Sequence, residues 1–129
     1  MKEKIYTIPI NESFEKRCGC PVCRLREKTR TDALEFITGA AMMEPDVRIE
    51  TNRLGFCREH YNDLLGMKNL LSLALMLESR LDEVSELCFG KRDTPDGARA
   101  DKNVAKTVST CFICGRIDTY MTHYAENIV

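Results

Sequence analysis

The sequence predicts an all-α fold, a small helical bundle with a short extended N-terminal arm and one zinc knuckle made by three cysteines and a histidine. Three observations predict it. Apolar residues recur near a 3.6-residue period over residues 70–87, no strand–helix alternation is visible, and Cys-x2-Cys pairs stand just ahead of helical patterns.

Residues 5–10, IYTIPI, read as extended, with Pro9 barring a central strand position, and Asn11 or Ser13 reads as the cap of a short helical turn through Lys16. Pro21 suits the first turn of a helix running to about Thr38, with Leu25, Ala33, Leu34, Phe36 and Ile37 as its apolar face and Gly39 as its stop. Residues 42–55 are punctuated by Pro45, Asn52 and Gly55 and read as a connector with one turn after Pro45. Helical patterns follow over residues 57–65 and 67–87. Residues 70–77 are apolar nearly all round, which predicts a central helix touching neighbours on several sides. Residues 91–101 read as a linker, residues 104–110 as weakly helical, and a last helix starts near Gly115. The expected organisation is a zinc-knuckle unit (1–90), the linker (91–101), and an incomplete second repeat (102–129) packing on the first.

Composition sets the function classes. At 129 residues and 43% hydrophobic content the chain can bury a modest core, filled by Leu, Met and Ala in the absence of Trp. Nineteen basic against 20 acidic residues leave no field that would attract nucleic acid or an anionic membrane. The N-terminus lacks the apolar stretch of a secretory signal, and residues 70–77 fall short of the roughly 20 residues of a membrane span, so a cytoplasmic protein is expected. In a reducing compartment seven clustered cysteines point to metal or redox chemistry rather than to a disulfide framework.

Zinc takes four ligands in a tetrahedron, and a Cys-x2-Cys turn aims two sulfurs at one point. Cys20 and Cys23 form such a pair. Cys57 and His60, three apart after Gly55-Phe56, share one face of a helix start and supply the other half. The expected site is therefore Cys20, Cys23, Cys57 and His60 around one zinc, with iron as the other metal that sulfur-rich sites accept. Cys111 and Cys114 form a second knuckle, expected to lie apart as a second, incomplete metal site. His123 is too far along a helix to join it and reads as a surface residue; Cys18 reads as a spare ligand and Cys88 as core. Aligning the segments that open with the two knuckles matches both cysteines, Thr31 with Thr122, Glu35 with Glu126 and Ile37 with Ile128, which suggests an internal repeat.

Buried cysteines beside a surface histidine would explain the same residues without a metal. A thiol-based redox or metal-sensing protein using the Cys-x2-Cys pairs is the alternative function. No catalytic residues are picked out, and the acidic Glu44, Asp46 and Glu50 read as solvated loop charges.

The runs MKEKIYTIPINESFE, CPVCRL, AMMEPDVRIETNRLGFCREHY and CFICGRI resemble a family of uncharacterised bacterial proteins of unknown function over nearly the whole chain. The resemblance implies a duplicated protein of roughly twice this length, in which a second Gly-Phe-Cys-x2-His follows the second knuckle; this chain resembles the N-terminal half plus the start of the second unit. The reading is a metal-stabilised helical interaction module. Its C-terminal helix carries a stripe of Ile113, Ile117, Tyr120, Met121, Tyr124 and Ile128, which is expected to fold onto residues 70–77 or to join a homodimer or a separate chain.

Overall fold

The computed structural model describes residues 2–17, 19–90 and 97–128, with side chains from residue 5 and, after the gap, from residue 101. Among the described residues there are seven α-helices, one 3-10 turn and no strand. They are α1 (Lys2–Glu15), α2 (Pro21–Thr38), the 3-10 turn (Ala40–Met43), α3 (Pro45–Leu54), α4 (Arg58–Gly66), α5 (Leu70–Phe89), α6 (Gly97–Val108) and α7 (Phe112–Ile128). The all-α expectation holds.

Three elements differ from the sequence reading. The N-terminal arm is not extended: it is the helix α1, with Pro9 inside it. Tertiary burial overrides the proline penalty, because Ile10 and Ser13 sit on the buried side of α1, and Ile10 packs with Leu25 and Tyr124 while Tyr6 covers that cluster. The connector after Pro45 is a full helix, α3, opened by Pro45 in its first turn and closed at Gly55, whose N–H reaches the Thr51 carbonyl. Asn52 therefore lies within a helix instead of breaking one. In the expected linker, residues 91–96 lie outside the described residues, and residues 97–101 already belong to α6.

The main core joins α2, α4, α5 and α7 through Ala33, Leu34, Ile37, Leu64, Leu73, Met76, Ile113 and Ile117. Helix α5 is less central than its composition suggests. Leu73 and Met76 are buried, but Leu70 and Leu71 are 56% and 69% exposed. Its entry is fixed by Asn69, whose Oδ1 accepts the Ser72 N–H while its Nδ2 donates to the last-turn carbonyl of α2 at Thr38. The stripe on α7 packs against α1 and α2 and shares the main core with Leu73 and Met76 of α5: Ile113, Ile117 and Tyr124 are buried, and Ile128 is exposed.

One buried cation organises the corner that the functional site occupies. Arg80 is only 8% exposed and donates to the carbonyls of Asn52 and Arg53 at the end of α3 and of Thr107 at the end of α6. The carbonyl-rich, negative ends of two helices thus take the place of a carboxylate. Gly55 lets this happen. Its φ of +63° and ψ of −158° are open essentially to glycine alone, and a Cβ there would lie 2.8 Å from Arg80 Nε. Gly55→Ala is expected to cost at least about 2 kcal/mol, seen as a lower denaturant midpoint at unchanged slope; a midpoint equal to the parent's would mean that neither the conformation nor the contact matters.

Candidate metal centre

Three short loops each end in a cysteine whose carbonyl accepts the first hydrogen bond of a helix: Cys20 from Arg24 N–H (3.1 Å), Cys57 from Tyr61 N–H (2.9 Å) and Cys111 from Gly115 N–H (3.1 Å). A residue three positions further on, Cys23, His60 or Cys114, then sits on the first turn and faces the same way as the cysteine before it. Each loop is therefore a two-ligand unit at a helix start, where free N–H groups and the positive helix end favour thiolate.

Two of the units meet. The loop before α7 is tied to the loop before α4 by the Phe112 N–H donating to the Gly55 carbonyl (2.8 Å) and the Thr110 hydroxyl donating to the Leu54 carbonyl (2.7 Å). Phe56 and Phe112, which flank Cys57 and Cys111, stand edge to face at 6.4 Å, and Tyr61 closes on Phe56 at 5.4 Å. Arg80 holds the carbonyls just upstream of both loops.

The result is a cluster of Cys57, His60, Cys111 and Cys114 whose ligand atoms all lie within 4.8 Å of one another. His60 Nδ1 is 3.1 Å from Cys57 Sγ, 3.3 Å from Cys111 Sγ and 3.4 Å from Cys114 Sγ, and Cys57 Sγ is 3.8 Å from Cys114 Sγ. A tetrahedron with metal–sulfur bonds of about 2.3 Å and a metal–nitrogen bond of about 2.05 Å separates its sulfurs by about 3.8 Å and sulfur from nitrogen by about 3.6 Å. The observed spacings fit that figure, and the four groups can hold one metal ion.

The electrostatics also favour a cation. His60 is buried, and burial lowers its pKa, which keeps the imidazole neutral and able to ligate. Burial, reinforced by the neighbouring Cys111 and Cys57 sulfurs, pushes the Cys114 thiol up to about 12. Three thiolates this close cannot ionise together unless a positive charge sits between them. A cavity of about 270 Å³ opens beside His60 and Cys114, with Arg26 and Arg30 among its lining residues. Arg30 also ties α2 to α4 through Asp63, at 2.5 Å.

The structure thus joins half of the expected ligand set, Cys57 and His60, to the knuckle that was expected to lie apart. Cys20 and Cys23 are not in the cluster; they are exposed, bonded to each other as a disulfide, with Cα atoms 5.3 Å apart. The expected four-ligand combination is therefore not assembled in this structure, because the 54–55 and 110–112 loops dock on each other and bring Cys111 and Cys114 to α4. The sequence carries one matching feature, an aromatic residue beside each cysteine, Phe56 and Phe112, which pack edge to face in the structure. His123 lies on the surface beside Glu126 and stacks on Tyr6, Cys88 is buried, and Cys18 lies outside the described residues. No described helix is long and apolar enough to cross a membrane.

None of the curated proteins and none of the solved structures compared with the chain matches it. A family of unknown function (DUF6062) matches it over residues 1–129.

Proposed function

The chain belongs to the DUF6062 family, whose function is unknown, and from its site we propose that it is a zinc-stabilised helical interaction module of the cytoplasm. The single observation that carries the reading is the convergence of Cys57, His60, Cys111 and Cys114 at tetrahedral spacing. The zinc is structural: four protein ligands leave no open position for a reacting water. Its task is to clamp the α3–α4 corner to the α6–α7 corner, so that residues 102–129, the start of a second repeat, lock onto residues 1–90. A reducing cytoplasm suits three free thiols in one cluster. Iron is the competing occupant.

Metal analysis of protein purified without oxygen tests this. One equivalent of zinc per chain is expected, and empty thiols or iron would overturn the assignment. The metal should also be held more weakly in acid. Loading must expel the Cys114 proton, since burial and the neighbouring sulfurs hold that thiol well above its ordinary pKa in the metal-free fold, whereas burial lowers the pKa of His60 and favours the neutral, ligating imidazole. Apparent affinity should therefore fall by about tenfold or more for each pH unit below 7, read by competition with a chelator. A pH-independent affinity would contradict the ligand set.

A second reading, a thiol-based redox or metal sensor, is favoured by one observation: the Cys20–Cys23 knuckle closes as a disulfide. If Cys111 and Cys114 did the same, one hydrogen peroxide would take two electrons from the two metal-bound thiolates and two protons from solvent, leaving as two waters while the sulfurs join as a disulfide and release the metal. Stoichiometric peroxide that frees zinc within minutes would replace the structural reading with this one.

The partner surface is proposed at the end of α7, where Ile128 remains exposed after Ile113, Ile117 and Tyr124 have entered the core. A second copy of the chain, or a separate chain, would cover it. Sedimentation at micromolar concentration should show association that Ile128→Asp abolishes; identical monomers from both would remove α7 as an interface.

A further inference from the structure

Cys20 and Cys23 are left over from the centre just described, and their local structure repeats that of Cys111 and Cys114. In both knuckles the first sulfur accepts the N–H of the second cysteine, at 3.1 Å for Cys20 with Cys23 and 3.4 Å for Cys111 with Cys114. In both the first carbonyl accepts the N–H four residues on, at 3.1 Å. Each opens a long helix, and those two helices, α2 and α7, pack against each other. The chain thus contains two copies of one ligand unit, and it shows what completes one of them: a Cys-x2-His pair on the first turn of a helix after Gly-Phe. The other copy is exposed, and among the described residues the only hydrogen bond to either of its sulfurs comes from its own backbone.

We propose that reduced Cys20 and Cys23 are the sulfur half of a second Cys3His metal centre, completed by an unengaged Gly-Phe-Cys-x2-His segment of another polypeptide. The inference rests on the reading of the first centre as a metal site. Entry into this state requires a thiol reductant: the Cys20–Cys23 disulfide takes two electrons and two protons from two thiols, which leave as their own disulfide. The two new thiols then lose their protons as the metal binds. Two protein thiolates alone leave half of a tetrahedron to solvent, so the pair holds metal weakly until the second polypeptide arrives. The metal would thereby act as a joint between chains, made under reducing conditions and blocked by the disulfide.

The test is a cobalt titration of the intact chain, reduced with a phosphine and kept free of oxygen. Its probe is a synthetic peptide with the sequence of residues 55–66 at millimolar concentration, against a control peptide in which Cys and His are replaced by Ser and Ala. The first equivalent of cobalt should give the spectrum of three thiolates and one imidazole without any peptide; its absence would instead refute the reading of the first centre. With the peptide, a second equivalent should bind at least tenfold tighter than without it and give the same spectrum. The Cys20→Ser, Cys23→Ser double variant should lose this second equivalent and keep the first. The proposal is overturned if the peptide changes neither affinity nor spectrum. It is also overturned if the second cobalt gives a four-thiolate spectrum in a chain that sediments as a dimer, since two copies of the Cys20–Cys23 pair would then complete each other.

Discussion

Cys57→Ser, His60→Ala and Cys111→Ser are each expected to lose the metal and to melt broadly, at a temperature well below that of the parent chain. Structural zinc contributes on the order of 10 kcal/mol of apparent binding energy in small domains, comparable with the whole stability of about 5–15 kcal/mol of a folded domain. The loss is amplified here because the ligands join two loops that few other contacts hold: two hydrogen bonds, the Phe56–Phe112 pair and Arg80. Chelation of the parent should reproduce the effect. His60→Cys, which restores a fourth soft ligand, should retain metal and most of the melting temperature. Calorimetric melts of the four variants with matched metal analysis check this. A Cys57→Ser protein that melts like the parent would mean the cluster is packing alone.

The second large effect is expected at Arg80. Arg80→Met keeps the volume of the side chain but leaves the carbonyls of Asn52 and Arg53 without their donor in a buried corner, and that of Thr107 with only the Thr110 hydroxyl at 3.4 Å. Stranded polar groups cost about 1–3 kcal/mol each when nothing replaces the bond, so a loss of about 3–5 kcal/mol is expected. Arg80→Lys should rescue little, because one ammonium lacks the planar fork that reaches the ends of two helices at once. Metal affinity should fall as well, by about 10- to 100-fold, since Arg80 orients the loops that carry Cys57 and Cys111 just as outer hydrogen bonds orient ligands in other metal sites. Denaturant unfolding and chelator competition read the two effects separately. A loss of under about 1 kcal/mol in Arg80→Met would show that water supplies those carbonyls.

Much of this was legible in the sequence where the physics is local. The Cys-x2-His spacing put Cys57 and His60 on one helix turn, Pro21 marked the start of α2, and the apolar periods marked α5 and α7. What could not be read is what tertiary packing decides. Residues 5–10 read as an extended arm, yet they belong to α1, whose Ile10 and Ser13 are buried where it packs on α2 and α7. The pairing of ligand units was illegible for the same reason. Cys20-x2-Cys23 and Cys111-x2-Cys114 offer identical chemistry, and only the docking of residues 110–112 onto residues 54–55 selects the second for Cys57 and His60.

That selection is the central claim, and a comparison of metal content in two double variants tests it most directly. The account predicts that Cys111→Ser, Cys114→Ser purified without oxygen carries no tightly bound zinc, whereas Cys20→Ser, Cys23→Ser carries one full equivalent. The opposite pattern, with zinc lost from the Cys20 and Cys23 variant and kept in the other, would contradict it.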